Sequence, residues 1–286
     1  MPRSADELVK LLDLETIDVN LFRGTQPDTM LQRVFGGQVA GQSLVAGART
    51  VDPERSVHSL HSYFLRPGDT AVPIVYDVER MRDGRSFSTR RIVARQHGRP
   101  IYFMTASFQV PEDGFEHQDT MPEVPSPADS TDVSELVRRR SPQDAERWLH
   151  EWAALEMRAI GDSRPGGRLP VDGRPAQSRL WIRVAGSLDD QVLVHQAAFT
   201  YASDITLLGS ALVPHGVTVS GPEVQSASLD HTIWFHRPFR ADEWLLYDQA
   251  SPSASGARGL GIGRVFTEDG RLVATVAQEG LIRPRG

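Results

Sequence analysis

Two polar side chains stand where the surrounding pattern calls for apolar ones: Asp204 and Gln278. From Val192 to Leu212, the residues Ala197, Tyr201, Ile205, Leu208 and Leu212 recur at three- and four-residue steps, predicting one buried helix with these positions on one face. Asp204 shares that face. A carboxylate among apolar groups is costly unless several donors satisfy it, and one held there is poised for acid–base chemistry. The pattern leaves two readings open, a structural acid with good partners and a functional one. Gln278 continues the strand face of Leu272, Ala274 and Val276. An unpaired buried amide costs about 1–3 kcal/mol, so it too needs a partner. If this strand wraps this helix, amide and carboxylate can satisfy each other, either as a structural clamp or as part of a site.

Other chemistries find less support. The nucleophile elbow G-x-S-x-G is absent; Gly41-Gln42-Ser43-Leu44-Val45 comes nearest and lacks the final glycine. There is no P-loop and no G-x-G-x-x-G. The alternating Gly259, Gly261 and Gly263 fit a strand pressed against a helix better than a phosphate cradle. His58 and His61, like His231 and His236, are spaced by odd numbers, which on a strand sends them to opposite faces, so no pair is a ready metal chelate. With no cysteine, disulfides, thiolate nucleophiles and cysteine-ligated metals are excluded. No cofactor and no metal are expected.

The elements that must position these residues follow from periodicity. A short amphipathic helix spans about Asp6 to Leu14, with a strand around Leu21 and Phe22. A helix rich in small residues runs from Phe35 to Thr50; its glycines cost helix stability and imply that a sheet approaches its backbone closely. Strands are predicted at His58–Leu65, Ile74–Arg82, Ser86–Gln96 and Ile101–Val110, separated by turn signals such as Asp83-Gly84 and His97-Gly98. The proline-rich stretch Met121 to Pro127 reads as a linker. Ser141 and Pro142 start a helix expected to reach about Ile160, with a second loop from Gly166 through Pro175. The pattern then repeats, with strands at Ser178–Ala185, Val224–His236, Trp244–Ala250, Ala257–Phe266 and Leu272–Leu281 around the helix that carries Asp204.

The repeat is visible residue by residue. His61-Ser62-Tyr63-Phe64-Leu65-Arg66-Pro67 answers Thr232-Ile233-Trp234-Phe235-His236-Arg237-Pro238, and His97-Gly98-Arg99-Pro100-Ile101 answers Asp269-Gly270-Arg271-Leu272-Val273. The chain is thus two copies of a helix plus an antiparallel meander, an α+β arrangement.

At 286 residues the chain suits one large domain or two small ones. Its net charge of -6 argues against nucleic acid as a partner. The acidic, amphipathic N-terminus has no apolar core suited to a signal peptide, and no apolar run is long enough to span a bilayer. A cytoplasmic protein without membrane insertion is the expectation.

The chain closely resembles the acyl-CoA thioesterase II family of double-hotdog thioester hydrolases. The resemblance is carried by Phe35-Gly36-Gly37-Gln38-Val39, His61 to Gly68, Tyr201-Ala202-Ser203-Asp204, Leu229 to Pro238 and Gln278-Glu279-Gly280. It implies a double hotdog, each repeat a central helix wrapped by an antiparallel sheet. It also implies an N-terminal hotdog at 1–115, a linker with one helix at 116–176 and a catalytic hotdog at 177–286. Carried over, the family's catalytic set falls on Asp204, Ser228 and Gln278. The family often has threonine at Ser228. Alternation alone puts Ser228 with Ser226, Asp230 and Thr232 on a polar face, so the residues do not themselves aim it at the helix.

The implied reaction is hydrolysis of fatty acyl-CoA, of medium to long chain by resemblance, to free acid and coenzyme A. Water would be activated at Asp204 and held by Ser228 and Gln278. Gly37 or Gln38, at the start of the first-half helix, is a candidate oxyanion donor. The alternatives are a hotdog enoyl-CoA hydratase and a non-catalytic acyl-CoA-binding module. A hydratase would pair an aspartate with a histidine, and His195 lies too far before Asp204 along a helix to serve. Double hotdogs keep exposed surfaces that often associate, so a homodimer or homotetramer is compatible with the chain. Aligned through the repeat, the first-half positions matching Asp204, Ser228 and Gln278 fall near Gly41, Val57 and Ala106, none capable of acid–base work. One site per chain is therefore expected.

Overall fold

A computed structural model describes residues 1–169 and 176–285. In the first half, α1 (Ala5–Leu12) is followed by β1 (Glu15–Asp18), β2 (Leu21–Gly24) and α2 (Gly36–Ala48). Then come β3 (Ser56–Phe64), β4 (Ile74–Asp83), β5 (Phe87–Gln96) and β6 (Arg99–Gln109). A connector holds β7 (Thr131–Asp132), α3 (Val133–Arg140), α4 (Pro142–Trp152) and β8 (Leu155–Asp162). The second half holds β9 (Gln177–Val184), α5 (Val192–Ser203), a 3-10 helix (Leu207–His215), β10 (Val224–Ser228) and β11 (Asp230–Phe235). Its last strands are β12 (Leu245–Ser255), β13 (Arg258–Thr267) and β14 (Leu272–Pro284).

Among the described residues the strands form one antiparallel sheet in the order β1-β2-β4-β5-β6-β3-β11-β14-β13-β12-β9-β8-β7, with β10 beside β14. The halves join where β3 pairs with β11. His61 sits opposite Thr232, its own counterpart in the repeat, so the local two-fold passes between them. The sheet curls around α2 and α5, which pack against each other at the centre.

Small residues make that packing possible. A Cβ at Gly37 would come 2.1 Å from the Tyr201 carbonyl oxygen, and one at Gly41 would come 3.2 Å from that of Ala197. The two backbones therefore cross closely only because these positions lack side chains. The same holds where β13 meets the 3-10 helix: a Cβ at Gly261 would lie 2.8 Å from the Leu207 carbonyl oxygen. The alternating glycines serve close packing, as their pattern suggested.

Three expectations need correction. First, Val192 to Leu212 is not one helix: α5 ends at Ser203, Asp204 is its C-cap, and the chain continues as the 3-10 helix. Asp, Ile and Thr at 204–206 are poor helix formers, and this short break lets the chain tighten. Second, the strand expected at Val224–His236 is broken at Leu229 into β10 and β11. Third, the connector helix from Ser141 ends at Trp152 rather than near Ile160, and α3 precedes it. Leu155–Asp162 is instead strand β8, whose alternating Leu155 and Met157 are buried and which pairs with β9. Pairing with a neighbouring strand overrides the helical propensity of this segment. Of the loop expected from Gly166 through Pro175, residues 170–175 lie outside the described residues.

Candidate active site

Ending α5 at Ser203 places the Asp204 carboxylate at the C-terminal end of one helix and the N-terminal end of another. The start of α2 faces it, with no side-chain cap of its own, and the Gly37 N–H donates to the carboxylate. A helix start carries partial positive charge and free N–H groups, so it suits an anion. Gln278 Nε2 donates to Asp204 Oδ1 at 2.5 Å, and Ser228 Oγ lies 3.4 Å from the same oxygen. Gln278 Nε2 also lies 3.2 Å from Ser228 Oγ. Burial nevertheless dominates, pushing the Asp204 pKa up from 3.8 to about 6 against the hydrogen bonds from Gln278, Ser228 and Gly37.

The residues named from the sequence thus meet at one point. Gln278 reaches it as expected from strand alternation, fully buried at 0 % exposure. Ser228 reaches it for a reason that alternation missed. The register of β10 on β14 is offset by one residue from that of β11, with Leu229 at the step. One extra residue turns Ser228 from the outer face to the helix face. The first half carries the same irregularity between Val57 and Ser59, the position that repeats Leu229. A bulge repeated in both halves was the signal available; the residue types around it do not announce it.

The carboxylate and Ser228 lie at the base of a cleft of about 390 Å³ between the halves. Its walls include Val34, Val39, Phe64 and Ile101 from the first half and Leu229 from the second. Gly36 also lines it, and a Cβ there would lie 2.5 Å from Asp204 Oδ2. Access to the carboxylate therefore depends on a missing side chain in the opposite half.

Two histidines on these elements do other work. His195 is buried in the first turns of α5, and its Nδ1 accepts the Ala241 N–H at 3.0 Å, well away from Asp204. His231 lies 2.8 Å from Ser203 Oγ, and burial lowers its pKa to about 4, keeping it neutral.

The first-half counterpart of the site differs from the expectation in one residue. Val57 and Ala106 hold the positions of Ser228 and Gln278, as the pairing of β3 with β6 requires. Gly41, however, lies mid-helix against α5. The C-cap of α2, matching Asp204, is Arg49, which turns outward to pair with Asp13. Arg90 pairs with Ala106 as Gly261 pairs with Gln278. Its buried guanidinium donates to Thr50 Oγ1 at 2.8 Å, the Thr50 carbonyl at 2.9 Å and Asp83 at 2.7 Å. The Arg90 guanidinium thus occupies the region that holds the carboxylate in the second half.

Models of known families match both halves: acyl-CoA thioesterase over residues 163–281, and acyl-CoA thioesterase N-terminal domain over residues 25–109. Acyl-CoA thioesterase 2 of Haemophilus influenzae is 41% identical over 283 residues, covering 97% of each chain. The chain belongs to the acyl-CoA thioesterase family. Among solved structures, acyl-CoA thioesterase II TesB2 from Mycobacterium marinum superimposes with a TM-score of 0.84 at 46% identity, covering 98% of this chain and 99% of that one. The fold is a double hotdog. A conserved protein with a hot dog fold from Alicyclobacillus acidocaldarius matches it with a TM-score of 0.76 at 22% identity, covering 98% of each chain. Within the family's two-part organisation, Asp204, Ser228 and Gln278 lie in the stretch matched over residues 163–281, and the apolar cleft wall comes largely from the stretch matched over residues 25–109.

Proposed function

We propose that the protein hydrolyses fatty acyl-CoA thioesters to free acid and coenzyme A, using one water activated at Asp204. The observation that carries this is the convergence of a carboxylate with a pKa of about 6, a hydroxyl and an amide at the base of an apolar cleft. The water sits within reach of Asp204, Ser228 and Gln278. Asp204 takes a proton as the water oxygen bonds to the thioester carbon. The resulting oxyanion lies against the start of α2, whose positive end and N–H groups other than that of Gly37, which Asp204 already holds, stabilise it. The C–S bond then breaks, coenzyme A leaves as a thiolate that recovers the proton, and the acid is released. A thioester has a good leaving group, so no covalent nucleophile is needed.

The second half, 177–286, supplies the polar groups in this reading. The first half, 1–115, is scaffold and cleft wall, and 116–176 connects them. Glu151 of α4 supports the arrangement by accepting from Thr29 Oγ1 at 2.6 Å and the Met30 N–H at 2.7 Å, pinning the connector beside the segment that leads into α2. Medium to long acyl chains, a cytoplasmic location and a homodimer or homotetramer complete the proposal. No helix among the described residues is long and apolar enough to cross a membrane.

The test is direct, because with no cysteine the protein gives no thiol background. A thiol reagent reports coenzyme A released from a panel of acyl-CoAs of short to long chain. Release from the longer members is expected. A folded preparation that releases none from any member defeats the proposal.

A further inference from the structure

The cleft has a charge layout that the reaction itself does not require. Arg33 and Arg66 line it, both exposed, and Asp204 at the base is the sole carboxylate among its lining residues. Neither arginine forms an ion pair with a carboxylate among the described residues, although the chain as a whole carries a net charge of -6. The repeat sharpens the point. Arg66 Nη1 donates to the Pro100 carbonyl at 2.7 Å, and its counterpart Arg237 donates to the Leu272 carbonyl at 2.9 Å, so one arm of each holds the same turn. The second arm of Arg237 is used by the connector, donating to the His117 carbonyl at 3.4 Å. No hydrogen bond to the connector engages the second arm of Arg66, and the residue lines the cleft.

β10 lines the same cleft. It pairs with β14 on one side only, and Ser226, Ala227 and Ser228 line the cleft. An open strand edge offers backbone donors and acceptors to an extended, amide-bearing ligand. The cleft thus combines two exposed cationic side chains, an open strand edge and the buried carboxylate in one lining.

We propose that Arg33 and Arg66 bind the phosphate groups of the substrate's coenzyme A, with its pantetheine arm along the β10 edge. The acyl thioester then enters from the rim with its polyanionic end outermost. Guanidinium groups suit phosphate because they offer paired N–H donors with fixed charge. This rests on the cleft being the acyl-CoA site, and it adds that the rim sets affinity for the carrier and leaves the chemical step alone.

The test compares decanoyl-CoA with decanoyl-N-acetylcysteamine, which keeps the thioester and an amide but has no phosphate. For an Arg33→Glu/Arg66→Glu variant, KM for decanoyl-CoA is expected to rise about tenfold, corresponding to ~1.4 kcal/mol. Its kcat, and kcat/KM for the phosphate-free substrate, should stay within twofold of the wild type. Raising the salt concentration should narrow the difference, because exposed charges are screened. Arg33→Glu alone leaves the Pro100 contact in place and should give about threefold. An unchanged KM for decanoyl-CoA, or an equal rise for both substrates, overturns the proposal. Calorimetry with free coenzyme A decides the same point without turnover. Binding about tenfold weaker in the double variant supports the rim, and equal binding overturns it even if the hydrolase reading stands. Conversely, absence of turnover with normal, arginine-dependent binding of coenzyme A defeats the hydrolase reading and leaves the rim intact.

Discussion

Replacing Asp204 by Asn should remove activity and at the same time stabilise the fold. In the folded chain the carboxyl titrates near 6 against an unperturbed 3.8, with burial as the main cause. Between these values the native state holds a proton that the unfolded state has released. Stability therefore falls as pH rises from 3.8 to about 6 and stays at the lower level above. The gap corresponds to about 3 kcal/mol at pH 7. Asn removes this charge cost but can satisfy fewer of the donors from Gln278, Ser228 and Gly37, a loss of about 1 kcal/mol. A net gain of about 2 kcal/mol remains, or roughly 3 °C in Tm for a chain of this size. Activity moves the other way, because losing a general base costs about 10²–10⁴-fold. Thiol-release kinetics and thermal melts at pH 4 and pH 7 read both. The expected result is turnover down at least a hundredfold, Tm raised at pH 7 and the gain fading toward pH 4. An Asn variant retaining most turnover refutes the role of base. A variant that loses turnover and also melts lower at pH 7 refutes the argument that the carboxylate is held under desolvation strain.

Other perturbations probe the same geometry. Wild-type kcat/KM should rise with pH through about 6 and then level off, because the base must be ionised; Gln278→Glu places a second carboxylate against Asp204 and should move that rise to higher pH, read from pH–rate profiles. Ser228→Thr keeps the hydroxyl and should retain activity, whereas Ser228→Ala should lower kcat about tenfold with little change in KM, measured by steady-state kinetics. Gly36→Ala puts a methyl 2.5 Å from Asp204 Oδ2; turnover should fall at least tenfold while far-UV circular dichroism stays unchanged, and full activity would show that the water approaches from another side.

Much of this architecture could be read from the chain because its local patterns agree with its tertiary contacts. The small residues of α2 announced a close neighbour, expected to be a sheet; at Gly37 and Gly41 that neighbour is instead the backbone of α5. Gln278 followed from strand alternation because β14 runs in register from Ala274 to Gln278 against β13. What could not be read depends on single-residue departures from periodicity. The apolar spacing from Val192 to Leu212 continues through Asp204, yet the helix stops there, and the stop turns the carboxylate toward α2. Ser228 depends on the step at Leu229, which alternation counts as an ordinary strand residue. The helical reading of the connector beyond Trp152 failed because β8 is fixed by its pairing with β9, an interaction between segments that local pattern does not record.

The internal repeat explains why the chain carries one proposed site instead of two. Both halves share the bulge, a helix C-terminus beside it and the paired strands, so the backbone framework of the site is repeated. At a helix C-terminus a carboxylate is disfavoured and a cation favoured. The first half follows that preference, with Arg49 as C-cap and Arg90 nearby binding the Thr50 carbonyl. The second half departs from it and places Asp204 there, supported by Gln278, Ser228 and the start of the opposite helix. A purely structural requirement of the fold would be met by the cheaper arrangement in both halves. The half that carries the unfavourable charge is also the one whose carboxylate opens into the cleft, which is the outcome expected if the charge is kept for chemistry.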